Sequence, residues 1–284
     1  NLTAAIENQR NDKRAYCTAQ LLRKMCVGDS FGVPRLGDAA EVKTITPQSL
    51  YAHYQTALRE SPIALFYVGG AAPEKVAALV QQVFANLPRD YKALPAQTGF
   101  FTPPTGDHRE QMDVAQGKLG MGFVTDIDLR DPRYPAMQVL NTVFGGGMTS
   151  KLFMNVREKM SLCYDIGSGY YGTKGLVLVT AGIDFQKEEV TRQQVLAQLD
   201  ACKAGDITGQ ELESAKQALM SSLRSTPDAP GAIESYYSTA ILSGHGMSPE
   251  AYMQKIAQVT PEQVTEAAKT LRLHTTYFLE GVQK

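Results

Sequence analysis

The stretch Gly145-Gly146-Gly147-Met148-Thr149-Ser150-Lys151-Leu152-Phe153-Met154-Asn155-Val156-Arg157-Glu158-Lys159-Met160-Ser161-Leu162-Cys163-Tyr164 is the most informative part of the chain. Ahead of it, Tyr134 to Phe144 has apolar residues at helical spacing, and the three glycines end that helix. Lys151 to Lys159 resumes a short helix. Cys163 to Tyr171 and Leu176 to Ile183 then read as two paired strands around a turn at Gly172 to Gly175.

On the N-terminal side, Leu119, Met121 and Phe123 alternate with small residues, which predicts a strand around Leu119 to Val124. On the C-terminal side the spacing predicts helices at about 187–203, 208–224, 229–242 and 249–257, then a helix from Thr260 and a last strand. Strands followed by a run of helices are the order of an α+β fold, an antiparallel sheet packed by helices.

Further upstream a repeat emerges. Ile45-Thr46-Pro47-Gln48-Ser49-Leu50 leads through a helical pattern to an apolar run, Ile63 to Val68, before Gly69. Val259-Thr260-Pro261-Glu262-Gln263-Val264 leads through another to Thr275 to Leu279 before Gly281. Both use Thr as N-cap and Pro at the first helical position, where its missing N–H costs nothing. The offset from Thr46 to Thr260 is 214 residues, which sets Asn1 opposite residue 215, inside the helix opened by Thr208 and Glu211. The expected organisation is the back half of one unit at 1–88, a proline- and glycine-rich linker at 89–109 and a complete unit at 110–284. In the first piece, Ile6 to Cys26, Pro47 to Leu58 and Pro73 to Leu87 are predicted helices and Pro62 to Val68 a strand.

Of 284 residues, 43% are hydrophobic and 20% charged, with a net charge of -1. That is a globular composition, and without clustered positive charge it argues against nucleic acid or an anionic membrane as partner. No apolar run reaches the ~18 residues of a membrane span, and the polar start has no signal-peptide pattern. Cys17, Cys26, Cys163 and Cys202 are scattered, which favours reduced, packed thiols and a cytoplasmic location. His53, His108, His245 and His274 lie too far apart for any two to share one helix face, so no metal site is expected in this chain. The glycine triplet lacks the spacing of a phosphate loop, and as a helix C-terminus it could simply supply positive φ.

A helix, a glycine loop, a short helix and R-E-K-x-S-L-x-Y entering a strand resemble the second domain of pitrilysin/insulinase-type zinc metallopeptidases. The wording of 151–184 is most similar to the bacterial, mitochondrial-processing-peptidase-like members that are catalytically silent. Lys174-Gly175-Leu176 and Ala181-Gly182-Ile183 continue the similarity, and the Thr46 and Thr260 segments match the back half of each domain. In that family an Arg and a Tyr seven residues apart hold the substrate peptide; they match Arg157 and Tyr164. The family's flexible glycine loop matches Gly145, Gly146 and Gly147. A guanidinium can donate to peptide carbonyls, and a tyrosine hydroxyl can donate to a carbonyl oxygen as charge develops on it. A plainer reading pairs Arg157 with Glu158 and makes Tyr164 a half-buried strand residue. The inverted H-x-x-E-H metal motif is absent, and the matching helix reads Ala136-Met137-Gln138-Val139-Leu140. The resemblance therefore implies zinc in the full-length protein or a partner subunit, and none in this chain. It implies a peptide or unfolded polypeptide as substrate, with a homologous zinc-bearing subunit or a second copy as partner. The alternative is a non-enzymatic partner subunit or peptide-binding scaffold with the same fold.

Overall fold

The computed structural model describes residues 1–92, 105–244 and 246–282. Five strands form one sheet: β1 Gly106–Met112, β2 Gly117–Val124, β3 Cys163–Tyr171, β4 Leu176–Ile183 and β5 Arg272–Gly281, in the order β1-β5-β2-β4-β3. The pairings β5-β2-β4-β3 are antiparallel, and β1 joins β5 in parallel. Residues 106–109, expected in the linker, belong to β1. This edge strand reads Gly-Asp-His-Arg-Glu-Gln-Met and has no apolar alternation to betray it. It is held by charge instead: Arg109 pairs with Glu188 at 2.8 Å and Asp107 with Arg192 at 3.1 Å.

Among the described residues the helices are α1 Leu2–Asn8, α2 Lys13–Met25, α3 Ala39–Val42, α4 Pro47–Glu60, α5 Pro73–Phe84, α6 Tyr134–Phe144, α7 Glu188–Lys203, α8 Gly209–Arg224, α9 Pro230–Ser243, α10 Pro249–Ala257 and α11 Pro261–Thr270. One face of the sheet carries Leu119, Met121 and Phe123. It packs with Met137, Leu140 and Phe144 of α6, Val195 and Leu199 of α7 and Val264 of α11 in the main core. Burying each such side chain contributes about 1.5–3 kcal/mol.

The opposite face is covered by α2. Cys17, Leu21 and Met25, spaced by one helical turn, pack with Val124, Leu176, Leu178, Tyr277 and Leu279. The alternating glycines of β2 make that approach possible: a Cβ on Gly122 would lie 2.4 Å from Met25 Sδ. The expected single helix from Ile6 to Cys26 is divided here, because Asp12 caps a new start. Its carboxylate accepts from the N–H groups of Arg14 and Ala15. Beyond α2, Asp29 and Lys174 form a buried ion pair at 2.7 Å.

Thr46 and Thr260 both close capping boxes, with Ser49 and Gln263. The order α1, α2, α3, α4, residues 62–68 runs parallel to α8, α9, α10, α11, β5. Residues 62–68, expected as a strand, form no ladder among the described residues, and Leu65 and Tyr67 are exposed. No residue of α4 or α5 is buried.

Candidate functional site

The site is built from the end of α6 to the start of β3. The N–H groups of Gly145 and Gly146 both donate to Asn141 O, at 2.9 and 2.8 Å, and finish the helix. None of Gly145, Gly146 and Gly147 has positive φ, so the C-terminal left-handed cap is not why glycine stands here. Close approach is the reason at the first two. A Cβ on Gly145 would meet Ser168 Oγ at 2.7 Å and Leu152 Cδ1 at 2.8 Å, and one on Gly146 would meet Thr142 Cα at 2.8 Å; Gly147 faces open space. Gly145 O accepts from the N–H of Ser168 at 2.8 Å, which ties the loop to the free edge of β3.

The short helix predicted at Lys151 to Lys159 is a π-helix, Leu152–Lys159. Its base is fixed by buried Lys151, which pairs with Glu211 at 3.0 Å. The chain then turns into β3 through Ser161, whose φ of 51° is positive. This strained residue lies between Arg157 and Tyr164, where the helix gives way to the strand.

Arg157 and Tyr164 meet in space. Arg157 lies 4.6 Å over the Phe153 ring, donates from Nε to Tyr164 O at 2.8 Å and pairs through Nη1 with Glu158 at 3.0 Å. Its Nη2 has no hydrogen-bond partner among the described residues. Tyr164 is 59% exposed, and its hydroxyl donates to Asp184 Oδ1 at 2.8 Å. That bond raises the tyrosine's pKa. Asp184 is held below the usual carboxylate range, first by the hydrogen bond from Lys187 and then by that from Tyr164.

These two residues line a depression of about 380 Å³ with Ser161, Leu162 and Lys187. The three glycines line a second, a cleft of about 490 Å³ floored by β3 and β4 and walled by α2. Phe153 joins the two, since its ring lines the cleft and supports Arg157. The sequence singles out neither Phe153 nor Asp184. The available signal was an aromatic residue four positions before an arginine on a helix, where the two side chains share a face.

The histidines are dispersed. His53 is exposed on α4, His108 is on β1, and His274 is buried on β5 with Nδ1 2.6 Å from Thr275 Oγ1. His245 lies outside the described residues. Ala136, Met137, Val139 and Leu140 of α6 are core residues. Among the described residues no group of three or more His, Cys, Asp or Glu could hold a metal ion, so these residues do not fit a zinc site. No described helix is long and apolar enough to cross a membrane.

Residues 44–219, more than half of the chain, match the family model described as the peptidase M16 inactive domain. The chain belongs to the M16 peptidase family. This is the pitrilysin-type family whose resemblance residues 145–184 carry. The M16 chain is similar to the "probable inactive metalloprotease YmfF" of Bacillus subtilis, with 30% identity over 99% of this chain and 66% of that protein. It is similar to the "uncharacterized zinc protease YmxG" of the same organism, with 30% identity over 72% of this chain and 51% of that protein. It thus spans between half and two thirds of the length of these relatives. Among solved structures, a conserved protein from Enterococcus faecalis matches with a TM-score of 0.89 and 30% identity, over 100% of this chain and 67% of that one. A peptidase M16 inactive domain from Pseudomonas fluorescens matches with a TM-score of 0.77 at 22% identity, a likeness of fold.

Proposed function

We propose that this M16 chain is the substrate-holding, non-zinc portion of a pitrilysin-type metallopeptidase, in which Arg157, Tyr164 and the glycine loop grip a peptide or unfolded polypeptide. The observation that carries the reading is the convergence of Arg157 and Tyr164 on one solvent-open depression, with Arg157 Nη2 uncommitted. Nη2 is free to donate to a peptide carbonyl. The Tyr164 hydroxyl has its proton on Asp184, so in this state it offers an acceptor to a peptide N–H. To donate to a carbonyl it must first release Asp184.

In this proposal residues 1–88 form the back half of one unit and 110–284 a complete second one. The parallel order of α1 to 62–68 and α8 to β5 supports it. Zinc resides outside this chain, in the full-length protein or in a homologous subunit. Four buried, unbridged cysteines suit a reducing, cytoplasmic setting.

The test is peptide affinity of the protein assembled with its zinc-bearing part, with turnover measured alongside. Arg157→Lys lacks the planar fork and should weaken binding by about 1–2 kcal/mol, roughly five- to thirtyfold. Tyr164→Phe should keep the fold and lose affinity or turnover. Unchanged binding and turnover in both variants sinks the assignment, and losses that only track thermal stability leave the plainer structural reading.

A further inference from the structure

The glycine-loop cleft has a feature that peptide holding by Arg157 and Tyr164 does not use. Its floor is bare. Gly167 and Gly169 of β3 sit opposite Thr180 and Leu178 of β4, on the face of the sheet that α2 covers. On that face β3 presents no side chain between Asp165 and Tyr171, and the Tyr171 ring borders the track beyond Gly169. One wall is the Gly145–Met148 loop, and the other is the first half of α2, which contributes Thr18 and Arg14.

Arg14 is the only charged side chain among the described residues lining this cleft. It is exposed, and its guanidinium makes no hydrogen bond or ion pair among the described residues. Beside Arg14 the cleft closes to a gap too narrow for water, between α2 and the strands, lined by Arg14 itself with Lys118, Asp165 and Thr180. The carboxylate there is already served by a cation, since Asp165 Oδ2 lies 3.6 Å from Lys118 Nζ, though its Oδ1 is unpartnered. Arg14 and Lys118 flank the one carboxylate, Asp165, at that closed end, which leaves an excess positive charge where the otherwise uncharged trough stops.

We infer that Arg14 is a specificity residue that binds the C-terminal carboxylate of a peptide lying extended over Gly167 and Gly169. This rests on the peptide-holding reading and deepens it. A guanidinium pairs with a carboxylate through two parallel N–H donors, a geometry neither a backbone carbonyl nor an amide reproduces. A chain lying along the trough toward Arg14 has to end there, which makes the carboxylate terminal rather than internal. Charge complementarity and the dead end together select this occupant.

The experiment uses two fluorescein-labelled peptides of Gly, Ala, Ser and Leu that differ only at the C-terminus, free acid or amide. Anisotropy is read on the wild-type chain, Arg14→Gln and Arg14→Lys. The wild type should bind the acid at least fivefold more tightly than the amide. The ratio should fall to near one in Arg14→Gln and be intermediate in Arg14→Lys. Equal binding of the two peptides by the wild type overturns the inference and leaves peptide holding intact. An undiminished ratio in Arg14→Gln also overturns it, as does a loss of thermal stability in that variant with the ratio kept, which would assign Arg14 to Asp165. An amidated peptide with an internal Glu that binds as tightly as the acid overturns the terminal assignment. If neither peptide binds the folded chain, the inference falls together with the peptide-holding reading.

Discussion

Arg157 Nε donates to the backbone carbonyl of Tyr164 at 2.8 Å, so the guanidinium braces the strand that presents the tyrosine. A charge-assisted bond at a partly exposed site is worth about 1 kcal/mol, and stacking on Phe153 adds about 0.5–1 kcal/mol. Arg157→Ala should therefore destabilise the chain by about 1–2 kcal/mol in urea unfolding. Arg157→Lys should lose about half of that, since it keeps the charge over the ring but not Nε. An alanine variant as stable as wild type would mean the brace contributes nothing.

Ser161 holds a positive φ of 51° without the freedom of glycine. Such a residue costs about 1 kcal/mol, more if β-branched. Ser161→Gly should be neutral to slightly stabilising, and Ser161→Val should cost about 1–2 kcal/mol. If the left-handed turn aims Arg157 and Tyr164, the valine variant should also weaken peptide binding beyond its loss of stability. Thermal melts and anisotropy on the same preparations separate the two effects.

The three loop glycines should rank by what surrounds them. Alanine at Gly145 or Gly146 places a methyl under 3.0 Å from its neighbours and should lower the melting temperature clearly. At Gly147, in open space, it should be near neutral. Gly169→Ala makes only a 3.8 Å contact with Tyr171, so the fold should survive. That methyl stands on the cleft floor, however, and should reduce affinity for an extended peptide. Equal effects at Gly145 and Gly147 would contradict the close-approach account.

Asp29 and Lys174 are each only 7% exposed in the side chain. Burial alone would raise the Asp29 carboxyl, but the Lys174 ammonium and the Phe31 N–H outweigh it and hold it below its usual value. The pair's contribution is thus complete above the unfolded carboxyl range near 3.9 and lost as pH falls through the lower folded value. Asp29→Asn leaves Lys174 charged and should cost about 2–4 kcal/mol at pH 7. The gap to wild type should close as pH falls through the lowered folded value of Asp29. Urea midpoints across that range decide it.

Burial pushes the thiols of Cys17 and Cys202 up to about 12 and those of Cys26 and Cys163 up to about 11. As thiols rather than thiolates, all four should be inert to an aromatic disulfide reagent at pH 8 in the folded chain and react together in denaturant. One fast-reacting thiol in the native state would show that its site opens.

The hairpin and the helices of 188–270 were legible because their apolar spacing is regular and their caps are strong, as at Thr208 and Thr260. β1 was hidden because an edge strand of charged residues carries no periodicity. Residues 62–68 misled in the opposite sense: apolar spacing alone does not make a strand, because pairing needs a neighbour. At the site, the glycines, Arg157 and Tyr164 could be named from sequence. Their division into two depressions could not, because it depends on Phe153 lying beneath Arg157 and on α2 arriving from residues a hundred positions away. Arg14 escaped for the same reason.

That arrival of α2 has a practical corollary for anyone trimming the protein. A fragment cut at the apparent boundary near residue 110 would keep the main core, yet it would lose the first half of β1 and strip one face of the sheet. Val124, Leu176, Leu178, Tyr277 and Leu279 would lie open to water beside the bare glycines of β2. An exposed apolar strip on a sheet is an aggregation surface. The shortest soluble piece is therefore expected to be discontinuous in sequence: residues 106–284 supplied with the α2 segment in trans or through an artificial linker.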